Sequence, residues 1–112
     1  MLDTRTKIVS PDQVAGRTIV AAYFDPMVAT HTQRYRELAN IHGPLAICIC
    51  DPPGALLPAQ ARAELAASLR SVELVVIGEA ALARAAAIID ERPADLDRRQ
   101  ALIHHVHSRQ NG

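Results

Sequence analysis

Three aliphatic runs of strand length constrain this chain more than any other feature: residues 18–24 (TIVAAYF), 45–50 (LAICIC) and 74–77 (LVVI). In the second run apolar side chains fall on both faces. That pattern fits a parallel strand buried between helices better than an antiparallel strand with one wet face. The segments between the runs carry helix signals. Ser10-Pro11-Asp12-Gln13 reads as a cap, a first-turn proline and a capping-box partner, and Gly16 stops that short helix. Thr30 reads as the next N-cap with Gln33 as its partner. The helix from His31 to about residue 41 buries Tyr35, Leu38 and Ile41, and Gly43-Pro44 ends it. Pro58 opens a helix to about residue 71 with Ala61, Leu65, Leu69 and Val72 on one face. A further helix is predicted over about 80–91, interrupted at Pro93. A C-terminal helix is predicted over about 94–109, with Leu96, Leu102, Ile103 and Val106 as its apolar stripe. Strands alternating with helices predict an α/β fold with a small parallel sheet, three-stranded or slightly larger, and helices on both faces.

The 112 residues predict one domain, 1–112, large enough to hold a core. Aromatic residues make up only 3% of the chain, so that core is built from Ala, Val, Ile and Leu. Twelve basic residues balance twelve acidic ones, which argues against an electrostatic nucleic-acid binder. No apolar run approaches the roughly 20 residues that span a bilayer, and the first residues have no apolar signal segment. The expectations are no nucleic-acid partner, no membrane and a cytoplasmic location. Cys48 and Cys50 point to one strand face and are expected to be buried small residues. Two thiols supply only half of a tetrahedral metal site, so no metal site is expected. His104, His105 and His107, and the charged residues Glu91, Asp95, Asp97, Arg98, Arg99 and Arg109, read as solvated helix surface. His42 reads as a cation at a helix C-terminus.

In an open parallel sheet, ligands bind beyond the carboxyl ends of the strands, where the N-terminus of the following helix favours an anion. Here that place is the stretch Phe24-Asp25-Pro26-Met27-Val28-Ala29-Thr30-His31-Thr32-Gln33-Arg34. It resembles the F-D-x-x-H-x-G-H signature of the cytidylyltransferase-like nucleotidyltransferases, a family that includes heptose-phosphate adenylyltransferases and glycerol-phosphate cytidylyltransferases. Lys7-Ile8-Val9-Ser10 resembles the lead-in of the heptose enzymes. Arg62-Ala63-Glu64-Leu65, with the later stretch LRSVELVVI, resembles their helix and V-D-x-V-V strand. The likeness covers roughly residues 7–78.

The resemblance implies a three-layer Rossmann-like nucleotidyltransferase fold. It also implies a reaction in which a phosphorylated sugar or polyol attacks the α-phosphate of CTP or ATP, with Mg²⁺ as cofactor and pyrophosphate leaving. Catalysis of this kind is positioning and charge stabilisation. His31 matches the second signature histidine and is the implied catalytic residue. Phe24, Asp25, Thr30, His31 and Arg34 are the implied nucleotide- or phosphate-binding residues. A homodimer is also implied, because relatives are commonly dimers and a small sheet has two edges to cover.

The sequence departs from the signature at three positions. Val28 stands where the first histidine belongs, Thr30 where the glycine belongs, and Ala22 where a glycine is common. No R-x-x-G-I-S-[ST]-[ST] segment follows, and no strand carrying a phosphate-binding lysine is predicted downstream. Loss of one preorganised donor costs about 10²–10³ in rate. The expectation is therefore a degenerate, non-catalytic domain that binds a nucleotide or phosphorylated ligand or serves as an assembly module. The alternative is an active nucleotidyltransferase that completes its site from a partner subunit.

Overall fold

The computed structural model describes residues 3–111. Its centre is a four-stranded, all-parallel sheet in the order β3-β2-β1-β4, formed by β1 (Thr18–Ala22), β2 (Leu45–Ile49), β3 (Val72–Ile77) and β4 (Ala87–Asp90). Helices α1 (Ala29–His42) and α2 (Ala59–Ala67) connect the first three strands, and α3 (Arg92–Asn111) follows β4. Short 3-10 helices span Thr4–Lys7, Pro11–Val14 and Glu79–Arg84.

Alternation along the strands divides the core in two. Val20 and Ala22 of β1, with Ile47 and Ile49 of β2, face α1 and α2 and pack with Phe24, Tyr35, Leu38 and the α2 alanines. Ile19 and Ala21, with Cys48, Cys50 and Val76, face the other way, against Val14 and Ala81 from the 3-10 segments. The sheet is thus covered on both faces, as the aliphatic runs require, although one cover is built of 3-10 turns. Both cysteines are fully buried, their sulfurs 4.0 Å apart, as small core residues. No described helix is long and apolar enough to cross a membrane.

Four sequence expectations are corrected. The helix expected over 80–91 is instead the 3-10 helix Glu79–Arg84 followed by strand β4. The alanine-rich stretch favours a helix by propensity, but Ile88 and Ile89 pair in register with Ile19 and Val20 of β1. Sheet pairing overrides propensity there. Pro93 does not interrupt a helix: it sits in the first turn of α3, where its missing N–H costs nothing. The buried face of α2 is Arg62, Ala63, Ala66 and Ala67 rather than Ala61 and Leu65. On α1, Ile41 is exposed, while Tyr35 and Leu38 are buried as expected.

Candidate functional site at the end of β1

The chain leaves β1 through Tyr23 and Phe24, and Phe24 adopts φ +52°, a left-handed conformation uncommon for a bulky residue. This turn directs the Tyr23 and Phe24 N–H groups out of the sheet. Both donate to Oδ2 of Asp95, at 2.8 and 3.3 Å. The second oxygen of Asp95 accepts from His31 Nε2 at 2.8 Å and from Arg98 at 2.6 Å. Asp95 lies in the first turn of α3, so the C-terminal helix places a carboxylate at the carboxyl end of β1.

His31 begins this arrangement. Val28 is the N-cap residue of α1, in extended conformation, and its N–H donates to His31 Nδ1 at 3.0 Å. Imidazole does here what Glu or Gln does in an ordinary capping box. Thr30 is therefore inside the helix and is not the cap that spacing suggested. Because Nδ1 accepts a backbone N–H, the ring proton belongs on Nε2, where it is donated to Asp95. The ring is 1% exposed and packs against Phe24 at a centroid distance of 4.9 Å. Burial pushes the Asp95 carboxyl up, but His31, the Tyr23 N–H and Arg98 outweigh burial and hold it below the ordinary carboxylate range.

The other expected residues take separate places. Arg34 forms a two-pronged pair with Glu91, at 3.0 and 3.1 Å, which raises the Arg34 pKa and ties α1 to the start of α3. Asp25 faces the loop after β2: its oxygens accept the N–H groups of Leu56 and Leu57, both at 2.8 Å, and Arg99 at 3.2 Å. Thr30 is exposed and, with Val28, Arg98, Ala101, Leu102 and His105, lines an open apolar groove of about 470 Å³ between α1 and α3. The structure thus brings Phe24 and His31 together directly and Arg34 through Glu91 and Arg98, and leaves the side chains of Asp25 and Thr30 outside the cluster. Both oxygens of Asp25, the one carboxylate within the signature stretch, are engaged by protein donors. In this arrangement they do not fit a Mg²⁺ ligand. No group of three or more His, Cys, Asp or Glu that could hold a metal ion occurs among the described residues.

Sequence reasoning missed Asp95, Glu91, Arg98 and Arg99, which read as solvated surface. Their spacing carried a signal: Glu91, just before α3, and Asp95 and Arg98 within it lie four and three residues apart, the spacing that lines side chains up along one side. It also missed Arg62, which is 1% exposed and donates to the carbonyls of Cys50, Leu57 and Tyr23. An arginine within an alanine-rich helix face was the signal there. His104 and His105 are exposed, as is His42; the side chains of His107 and Arg109 lie outside the described residues. No protein-family model matches the chain, and neither does any curated protein.

Proposed function

We propose that this chain is a nucleotidyltransferase-like domain that does not catalyse transfer and instead binds a nucleotide or another phosphorylated ligand at the carboxyl end of its sheet. The observation that carries this reading is the state of His31. The one signature histidine the chain keeps is buried, with both ring nitrogens committed inside the protein. While Asp95 holds the pocket, His31 has no donor free to meet charge developing in a transition state. Val28 adds no donor where the other histidine would stand. What favours phosphoryl binding is the convergence of the Tyr23, Phe24, His31 and Arg98 donors on one carboxylate.

The test is calorimetric titration with CTP and with ATP, each with Mg²⁺, on the intact chain and on His31→Ala. A pyrophosphate-release assay with sugar and polyol phosphates accompanies it. The expected result is binding that His31→Ala weakens, with no pyrophosphate released. Turnover would overturn the non-catalytic reading. Absence of binding at millimolar nucleotide would overturn the ligand reading and leave an assembly role. For that role, and for the proposed homodimer, the exposed edge strand β4 with Ile88 at its surface is the natural pairing edge. Sedimentation should then show a dimer that Ile88→Lys dissociates.

A further inference from the structure

The way α3 is held differs from the way the rest of the fold is held. Among the residues of α3 whose side chains are described, Asp95 alone is buried. Leu96, Leu102 and Ile103 are half-buried, and Val106 is exposed. Helices normally dock through an apolar stripe. This one is held by charge and hydrogen bonds: Asp95 in the donors at the end of β1, Glu91 just before it on Arg34, and Arg99 on Asp25 and the carbonyls of Pro53 and Gly54. An element with little buried apolar surface belongs to the low end of local stability.

The Asp95 pocket has the composition of an oxyanion site: two main-chain N–H groups from consecutive residues, one imidazole N–H and one guanidinium, all within 2.6–3.3 Å of the two oxygens. Main-chain N–H groups of this kind and arginine forks recognise carboxylate and phosphoryl oxygens alike. Three of the four donors, Tyr23, Phe24 and His31, belong to the β1–α1 unit, and the His31 ring is also held by the Val28 N–H and the Tyr23 carbonyl by Arg62; Arg98 belongs to α3.

We propose that the Tyr23, Phe24 and His31 donors form an oxyanion site that Asp95 fills from within, so that α3 is an intramolecular competitor of a phosphoryl ligand. This rests on the reading of the sheet end as a phosphoryl site and adds its regulation: the ligand enters as Asp95 leaves. At Tyr23, Phe24 and His31 one anion is exchanged for another, so none of these three N–H groups is stranded in either state. The contacts given up are those of α3 itself, Arg34 with Glu91 and Arg99 with Asp25.

The test removes the internal anion and supplies an external one. Asp95→Ala is titrated with inorganic phosphate, against chloride at matched ionic strength, with thermal stability and calorimetry as readouts. Expected is phosphate binding about tenfold or more tighter than in the intact chain, with a melting temperature that rises with phosphate and not with chloride. Asp95→Asn keeps the pocket filled but uncharged, with one acceptor oxygen in place of two, and should respond between the intact chain and Asp95→Ala. Asp95→Ala with His31→Ala should lose the gain. Should Asp95→Ala be unfolded on its own, phosphate must restore its fold. Asp95→Ser, which leaves room for an anion and water, is titrated beside it. Equal phosphate responses in Asp95→Ala, Asp95→Asn and the intact chain, or no response in any, would overturn the proposal. Inorganic phosphate carries no nucleoside. A gain here without nucleotide binding to the intact chain would sink the nucleotide reading alone, and nucleotide binding without this gain would sink the competition alone.

Discussion

Arg62 offers the sharpest test of how the sheet end is held. Its guanidinium is almost wholly buried and donates to Cys50 O at 2.6 Å, Leu57 O at 3.0 Å, Tyr23 O at 3.3 Å and Asp51 Oδ1 at 2.9 Å. Asp51 is 84% exposed at its side chain, so solvent screens that ion pair and it contributes little. The value lies in the three carbonyls, which end β1 and β2 and fix the loop that gives Leu56 and Leu57 N–H groups to Asp25. A hydrogen bond to a charged group contributes about 1.5–3 kcal/mol, and part of that sum offsets the desolvation of the guanidinium. Arg62→Ala strands three acceptors and leaves a void, for a loss of about 3–5 kcal/mol. Out of a total near 5–15 kcal/mol this is a large share. At a urea m-value of about 1–3 kcal/mol/M the midpoint falls by roughly 1–5 M. Arg62→Met fills most of the volume but satisfies no carbonyl, so it should keep more than half the loss. Asp51→Ala should leave the midpoint nearly unchanged. Urea denaturation of the three variants decides the matter. An Arg62→Met midpoint matching the intact chain, or an Asp51→Ala as damaging as Arg62→Ala, would refute the carbonyl-clamp reasoning.

Further outcomes are open to the same assay. The Asp95 carboxyl is held below its unfolded value of about 3.9, so its contribution is complete above that value and is lost as pH falls through the folded one. Stability measured from pH 6 to pH 3 should therefore drop more steeply below about pH 4 in the intact chain than in Asp95→Asn. The Tyr35 hydroxyl is buried and has no hydrogen-bond partner among the described residues, and burial holds its pKa well above the ordinary phenol range. An unpartnered hydroxyl costs about 1–3 kcal/mol, so Tyr35→Phe should be neutral or stabilising; a loss above about 1 kcal/mol would mean that the hydroxyl has a partner. Glu91→Gln removes the charge from the pair with Arg34, and the intact chain should show the greater salt sensitivity in hydrogen exchange of α3.

Much of the fold was legible. The aliphatic runs became β1 to β3, and the Ser10–Gln13 box formed with Ser10 N–H on Gln13 Oε1 at 3.2 Å. The fourth strand was not legible, because four residues with an alanine start carry no period of their own. Their conformation is set by the free edge of β1. The site was half legible. The position of the β1–α1 turn could be read from Phe24 to His31. The partner of His31 could not, since Asp95 is 64 residues away and only the tertiary fold joins them. Charged residues at helical spacing look alike whether they face water or a buried imidazole, and only the docking of α3 separates Asp95 from Asp97. Arg62 hid for the same reason, inside a helix whose alanines predicted an unremarkable buried face.

The internal carboxylate also predicts which ligands can succeed at the intact chain. Asp95 is tethered, so it competes at an effective concentration of order millimolar or more. A single phosphoryl group that only replaces it makes the same contacts and gains nothing over a competitor that never diffuses away. A ligand with several phosphoryl groups can add contacts that Asp95 lacks, and the nearest cation outside α3 is Arg34 on α1, which Glu91 now holds. Displacement of α3 together with Glu91 frees it. The affinity of the intact chain should therefore rise from inorganic phosphate through nucleoside monophosphate to nucleoside triphosphate by about tenfold or more overall. Asp95→Ala should raise the affinity for all three ligands by a common factor of about tenfold or more, because each meets the same competitor, and should leave the slope of the series unchanged. Calorimetry of the two proteins against the same three ligands measures both the slope and the offset. No offset would mean that the carboxylate of α3 is part of the architecture alone and that ligands, where they bind, do so without touching its donors.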